Sequence, residues 1–393
     1  KFDIKMYMQF SETLGNIKLK KQLTNSVQHN RIAHAQMFFG EKSSPKLLLA
    51  LSYAKYINCQ NKSLDDSCGY CPSCTKYQNL THPDLHLIFP VLLIKNNKRP
   101  TSDDFVADWR SEVLKNPFID LSVWFDTFSN ENKTGKTGYI YTQEIESLNK
   151  KLLLKHYESE FRVVLIWLPE NMQVNTSNKL LKLLEEPPQK TIFLLVSENT
   201  NLILKTILSR LQIIKTPNYN SIEIEDILKD KFSSRNGEEI KKVVSLTGGN
   251  LSLSIQMLQN DSFENKNFEE YQSWMRLCYS SNILEITKWV NNRAAKGRRN
   301  HSIFLLYSLK MIRNCLVFQF FDKNKLFITK NEKMFLTNFH PFVHENNIIQ
   351  ITQLLEESVK NIERNANPKI IFYELSLQFM KLLKVNRKFV ETN

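Results

Sequence analysis

Residues 37–57 limit the fold of this chain more than any other stretch. An apolar run, Met37-Phe38-Phe39, enters Gly40; a lysine follows six residues later at Lys46, and Leu47 to Ile57 reads as a helix. Strand, glycine and lysine in this frame match the phosphate-binding loop G-x-x-x-x-G-K-[ST]. The chemistry of that loop is missing. Pro45 stands at the second glycine and Leu47 at the hydroxyl residue. Proline has no N–H to offer a phosphate and fixes its own φ, and leucine has no oxygen for magnesium. Lys46 survives, but one cation does not make a cradle. It either keeps a residual anion contact or faces solvent at the start of the helix. The frame is that of a nucleotide-hydrolysing domain put to another use.

The flanking sequence agrees. Asn16 is placed to cap a helix with Leu19, Leu23 and Val27 on one face, and Asp84 to Val91 reads as a strand. Gln143 to His156 reads as an amphipathic helix. Arg162-Val-Val-Leu-Ile-Trp-Leu-Pro-Glu170 reads as a continuous apolar strand of the kind buried in parallel sheets. In a hydrolase such a strand ends in an acidic pair that holds magnesium; here those positions are Trp167 and Leu168. Trp167 is expected to plug the vacated site or to pack between sheet and helix. A strong helix from Thr176 to Glu186 closes at Pro187-Pro188, and strands follow at Thr191–Ser197 and Leu211–Ile214. Strands alternating with helices predict an α/β parallel sheet covered on both faces. Residues 92–139 break the pattern: they are polar, and Gly135-Lys136-Thr137 within them imitates a phosphate loop but reads as a surface loop.

After Pro217 the strand signals fade. Residues 221–262 hold three short helical stretches around Thr247-Gly248-Gly249-Asn250, and helices are expected at 267–279, 281–294, 301–321, 348–363 and 368–386. The last carries Ile371, Leu375, Phe379 and Leu382 on one face. This gives three domains: 1–217, 218–263 and 264–393. Residues 1–7 read as an extension ahead of the first, with Met6 or Met8 as an alternative start.

Four of the six cysteines are Cys59, Cys68, Cys71 and Cys74, spaced C-x8-C-x2-C-x2-C among turn residues. Four thiolates complete a closed tetrahedral zinc shell, which makes a structural site. A segment too polar to build its own core gains a staple from the metal. An iron–sulfur cluster or four free thiols also fit the count. His82 and His86 read as part of a turn entering a strand rather than as ligands, and Cys278 and Cys315 lie in apolar helical runs. The net charge of +13 suits a nucleic-acid partner and equally suits a lysine-rich solvated surface. No apolar run reaches the length of a membrane span.

Taken together, these residues resemble the AAA+ clamp-loader subunits of bacterial DNA polymerase III, and among them the delta-prime group. The resemblance is carried by Arg31-Ile-Ala-His34-Ala before the loop strand and by the four-cysteine module. Asn175-Thr-Ser-Asn178-Lys-Leu-Leu-Lys-Leu-Leu-Glu185-Glu186-Pro187-Pro188, Thr206-Ile-Leu-Ser209-Arg210 and Gly248-Gly249-Asn250 complete it. It spans residues 10 to about 260; the helical remainder matches only as a collar. The resemblance implies a RecA-like AAA+ domain with a zinc knuckle, a small helical lid domain and an all-α collar domain. It implies that Arg210 acts as an arginine finger in trans on ATP held by a neighbouring subunit, with Ser209 as a positioning residue. The dipeptide alone equally fits a solvated arginine ahead of an edge strand.

Further expectations follow from the family. The degenerate loop of Gly40, Pro45, Lys46 and Leu47 should bind no ATP tightly, and the chain should have no ATPase activity of its own. It would be one component of a polymerase holoenzyme. Its partners would be other clamp-loader subunits, met through the collar, together with the sliding clamp and primed DNA contacted without sequence reading. It would be cytoplasmic, nucleoid-associated during replication, and would bind no membrane. Two places depart from the family pattern. Ser252 and Leu253 stand near where the family often has a γ-phosphate-sensing arginine, and Leu211 replaces a cysteine after Ser209-Arg210. Two other readings stay open: an AAA+ ATPase with an unconventional site, and a zinc-dependent DNA-binding protein.

Overall fold

The computed structural model describes residues 8–13, 15–41, 44–92, 100–127, 138–233, 235–247, 250–259, 263–320, 329–363 and 366–385. The expectations for residues 1–7, Gly135-Lys136-Thr137 and Gly248-Gly249 lie outside them, as do the side chains of Ser252 and Leu253.

The chain divides into two compact units, the first ending at Ile255 and the second beginning at Gln256. The first contains strands β1 (Ala35–Phe39), β2 (Leu85–Ile88), β3 (Arg162–Trp167), β4 (Thr191–Ser197) and β5 (Gln212–Lys215). All pair in parallel, in the order β2-β3-β4-β1-β5. Met37 at the centre of β1 pairs with Leu195 on one side and Ile213 on the other. Helix α1 (Ile17–Gln28) precedes β1. Parallel neighbours need long crossovers, and helices supply them: α2 (Lys46–Ile57), α3 (Pro72–Gln78), α4 (Val106–Lys115), α5 (Leu121–Asp126), α6 (Thr142–Leu153), α7 (Val174–Glu185) and α8 (Lys205–Leu208). This is an AAA+-like fold.

Side-chain alternation decides which helices cover which face. Met37, Val164, Ile166, Phe193 and Leu195 point to one side and pack with Ile145 and Leu148 of α6, Leu180 and Leu184 of α7 and Ile207 of α8. Gln36 and Phe38 point the other way, to Tyr53 of α2; the Gln36 amide donates to the Tyr53 hydroxyl at 3.4 Å. Every residue of α2 is buried, Lys46 and Lys55 included, so this helix is apolar nearly all round, as a fully enclosed helix must be. Helices α9 (Ser221–Lys231), α10 (Gly237–Leu246) and α11 (Leu251–Gln259) follow the sheet.

The second unit is helical: α12 (Phe263–Ser280), α13 (Ile283–Ala294), α14 (Arg298–Phe320), α15 (Lys330–Phe339), α16 (Ile348–Glu363) and α17 (Pro368–Leu382). Ile371, Leu375, Phe379 and Leu382 enter its core together, as the one-face pattern predicts, and Cys278 and Cys315 are fully buried there. The Trp274 indole donates to the Ser376 hydroxyl at 2.8 Å, which satisfies its only polar atom inside that core.

Several expectations need correction. Asn16 precedes α1 but takes a left-handed backbone and makes no side-chain cap, so its carboxamide does not reach the first-turn amides. The segment 92–139 is not merely a polar excursion. It contains α4 and α5, whose Trp109 and Trp124 are fully buried. Trp109 stacks on Phe89 at 4.9 Å, and Trp124 meets the same ring edge-on while donating to the Pro90 carbonyl at 2.8 Å. Two large aromatic side chains outweigh the polarity of their neighbours. Helix α15 has no counterpart among the expected helices. Its sequence signal is the capping box at its start, where Thr329 and Glu332 exchange hydrogen bonds with each other's backbone. Among the described residues no helix is long and apolar enough to cross a membrane.

Candidate functional site

In parallel α/β sheets, ligands bind at the carboxyl ends of the strands, where the strand order reverses. Here that place lies after β1, between β4 and β5. Gly40 follows β1 directly, and its amide donates to the Ser197 carbonyl at the end of β4, 3.2 Å away. A Cβ at Gly40 would collide with the Ser44 hydroxyl and with both the hydroxyl and the carbonyl of Thr216. Glycine is required there because the chain after β5 folds tightly over the loop. The Thr216 amide and hydroxyl both donate to the Phe39 carbonyl, at 2.7 and 2.9 Å.

Pro45 takes the N-cap position of α2 with no side-chain cap, and Leu47 is buried in the core. Lys46 does not face solvent, contrary to one of the two fates set out for it. Its side chain is 4% exposed, and Nζ lies 3.1 Å from Glu198 Oε1. Nζ also donates to the Glu41 carbonyl at 2.7 Å. The anion that Lys46 meets is therefore a carboxylate of its own chain. Glu198 follows β4 directly.

Behind this pair stands Glu170. Its Oε1 accepts the amides of Glu198 at 2.7 Å and of Asn199 at 3.2 Å, while Oε2 is buried with no hydrogen-bond partner among the described residues. Burial raises its pKa to about 7, although the amides of Glu170 and Glu198 pull the other way. The positions named for the missing acidic pair, Trp167 and Leu168, are buried and apolar. Trp167 packs against Trp109 of α4 at 6.0 Å between ring centres, the sheet-to-helix alternative of the two considered. Sequence reading missed Glu170 and Glu198. The available signal was an acidic residue at the carboxyl end of a parallel strand, the edge where such sheets do their chemistry.

A pH effect follows from Glu170. Between the ordinary carboxylate value of 4.5 and about 7, the folded chain holds a proton on Glu170 that the unfolded chain has lost. The stability cost is absent below that window, grows as pH rises through it, and is complete above it. Glu170→Gln keeps an acceptor for both amides and cannot ionise. The variant should match the parent in urea melts at pH 4.5 and exceed it at pH 8. Equal midpoints at both pH values would contradict the assignment.

Arg210 has the opposite environment to Lys46. It follows α8, is 37% exposed, and its Nη2 lies 2.6 Å from Glu185 Oε1 at the end of α7. Nη1 donates to the Thr206 carbonyl at 2.7 Å and to the Ser209 hydroxyl at 3.3 Å. The Ser209 hydroxyl donates to the same Thr206 carbonyl at 3.0 Å. Ser209 thus touches Arg210. Leu211, in place of a cysteine, is buried in the core. A cleft of about 810 Å³ beside β5 is lined by Asn16, Gln36, Ile214 and Glu223 among others; neither Lys46 nor Arg210 lines it.

The four cysteines come together as their spacing predicts. Their Sγ atoms all lie within 4.8 Å of one another, three of the residues buried and Cys68 half-buried. Ligands 2.3 Å from a tetrahedral zinc ion sit about 3.8 Å apart; Cys68 Sγ and Cys74 Sγ are 3.9 Å apart. Amides of Cys68, Cys71 and Cys74 point at the sulfurs of Cys59, Cys68 and Cys71, at 3.3–3.4 Å. Such N–H···S bonds favour the thiolate form that binds metal. Burial lifts the Cys68 thiol, but hydrogen bonds from the Cys71 and Tyr70 amides bring it down to about 7. The arrangement is a buried four-cysteine cluster consistent with a structural zinc site. His82 lies outside it, with Nε2 3.2 Å from Glu158 Oε1 and its ring against Tyr77.

Comparison with known proteins adds to this geometry. Residues 15–220 match the family described as "DNA polymerase III, delta subunit". The DNA polymerase III subunit delta' of Bacillus subtilis is 26% identical over 246 residues, which is 63% of this chain and 60% of that protein. The delta' subunit of Pseudomonas aeruginosa is 26% identical over 59% of this chain and 56% of its own length. The tau subunit of Bacillus subtilis is 24% identical over 52% of this chain and 28% of its own. The chain thus spans 60% or less of the length of each of these three relatives.

Proposed function

As a member of the DNA polymerase III, delta subunit family, within the clamp-loader-related AAA+ group of delta', gamma and tau subunits, this chain is, we propose, a delta-prime-type subunit that hydrolyses no ATP itself. In this reading it donates Arg210 to ATP held by a neighbouring subunit. The observation that carries the reading is the contrast between two cations. Lys46, in the phosphate-loop frame, is buried and neutralised by Glu198. Arg210 stands at the surface on an anchored turn. The first arrangement suits a site closed to phosphate, the second a guanidinium offered outward.

The remaining parts of the proposal follow. An arginine supplied in trans stabilises charge that develops on the γ-phosphoryl oxygens. Ser209 holds the Arg210 turn and does not touch phosphate. The chain falls into an AAA+-like domain to residue 217, a lid to 263 and a collar beyond, and the collar joins it to other clamp-loader subunits. The assembly places a sliding clamp on primed DNA, with lysine and arginine contacts to the phosphate backbone. Zinc on Cys59, Cys68, Cys71 and Cys74 is structural and has no part in the reaction.

The isolated chain should show no ATP binding in the low-micromolar range by calorimetry. A loop that lacks one amide and the magnesium hydroxyl, and whose lysine already has a counter-ion, has little left to hold a triphosphate. A low-micromolar Kd would end the non-hydrolysing reading. Co-purification with an ATP-hydrolysing clamp-loader subunit, followed by turnover measurements on the mixture, tests the positive half.

A further inference from the structure

Glu185 and Glu186 close α7, followed by Pro187-Pro188. The carboxyl end of a helix carries partial negative charge and favours cations, so two acidic residues there go against the local rule. Such violations in an otherwise consistent sequence point to function. Among the described contacts, the partner of Glu185 is Arg210 Nη2 at 2.6 Å.

Both ends of this pair are fixed by the core. Leu184, beside Glu185, is 1% exposed; Ile207 and Leu211, on either side of the Arg210 turn, are 2% and 8% exposed. All three belong to the same packed cluster, so the backbones of α7 and α8 cannot slide apart. The charged groups themselves are 37% and 47% exposed. A pair so open to water contributes little to stability, so its placement has to be explained in another way.

Resting on the reading of Arg210 as a finger in trans, we infer that Glu185 is its positioning residue: the carboxylate holds the guanidinium at a fixed bearing before ATP of the neighbour arrives. Donor capacity allows this. A guanidinium carries five N–H donors. Glu185, the Thr206 carbonyl and the Ser209 hydroxyl engage three, which leaves two for phosphate oxygens. A long flexible side chain without such a guide samples many rotamers, and misplacement by about 1 Å costs on the order of 10²-fold in rate.

The test uses the reconstituted clamp loader, with Glu185→Ala, Glu185→Gln and Arg210→Ala compared with the parent. Glu185→Ala should lower kcat for ATP by roughly 10- to 100-fold with KM for ATP unchanged. Glu185→Gln keeps the acceptor oxygen and should recover to within about 3-fold of the parent, by the same positional argument. A merely structural role would instead lower the melting temperature of Glu185→Ala or reduce its incorporation into the complex. If Glu185→Ala turns over like the parent while Arg210→Ala does not, the positioning role is wrong and the finger stands. If Arg210→Ala also turns over like the parent, the finger reading itself fails. Equal losses in Glu185→Gln and Glu185→Ala would overturn the hydrogen-bonding role.

Discussion

In the proposed assembly, Arg210→Ala should slow turnover of the neighbouring subunit's ATP by about 10³–10⁵-fold, the size of effect found for trans-acting arginines. The expectation rests on where the side chain stands. Arg210 is exposed and its turn is anchored by Ile207 and Leu211 in the core. Removing the guanidinium breaks one ion pair open to solvent, which is worth roughly 0–1 kcal/mol, so fold and assembly should survive. The clearest measurement is single-turnover phosphate release from a complex whose other subunits have lost their own arginine donors. Arg210→Lys keeps the charge but loses the planar fork and should fall between parent and alanine variant. Unchanged release by Arg210→Ala in an intact complex would remove the basis of the proposed function.

The second large effect concerns the metal. Removal of zinc, by chelation or by Cys74→Ser, should cost several kcal/mol of stability; structural zinc in isolated fingers contributes ~10–16 kcal/mol of apparent binding free energy. The module has little else to hold it. Its local cluster consists of the four cysteines alone, and α3 is seven residues long. The loss would spread because other parts of the first unit lean on the module. Asp66 accepts the amides of Phe10 and Ser11, and the Gln9 carboxamide donates to the Ser67 carbonyl. Asn58, at the end of α2, donates to Tyr77 of α3 at 2.6 Å and to the Phe161 carbonyl ahead of β3 at 2.8 Å. At roughly 2–4 °C per kcal/mol for a unit of this size, Cys74→Ser should melt at least ~10 °C lower than the parent. Metal analysis should find one zinc per parent chain, retained by Cys278→Ser, whose thiol is buried elsewhere. An iron–sulfur absorption band, or an unchanged melting temperature in Cys74→Ser, would refute the structural zinc.

Much of the fold was legible because its signals are local. Thr191–Ser197 matches β4 to the residue, and the run read as a strand from Arg162 to Glu170 starts where β3 starts but overshoots its end at Trp167; a strand buried on both faces reads as an unbroken apolar run. The cysteine spacing needed only that the intervening turns be short. The elements misread were those whose burial depends on distant partners. Trp109 and Trp124 lie among polar neighbours, and Phe89, which meets both rings, is far away in the chain. Asn16 has the right side chain for a cap and the wrong backbone angle, which its own residue type does not reveal. At the candidate site, the absence of loop chemistry could be read directly from Pro45 and Leu47. What replaced it could not be, because Glu198 lies 152 positions beyond Lys46 in the chain and becomes its neighbour only when β4 pairs with β1.

The order of residues alone therefore determined that a parallel sheet would form, that its phosphate-loop frame would lack the second glycine and the hydroxyl, and that four thiols would gather in one cluster. Each follows from the identity or spacing of residues close together in the chain. Only the tertiary structure decided the fate of the charges: Lys46 enclosed with Glu198, Glu170 half-buried beside the Glu198 backbone, Arg210 paired with Glu185 at the surface. Electrostatic partnership depends on distance and on the exclusion of water, and both are set by how strands far apart in sequence come to lie side by side.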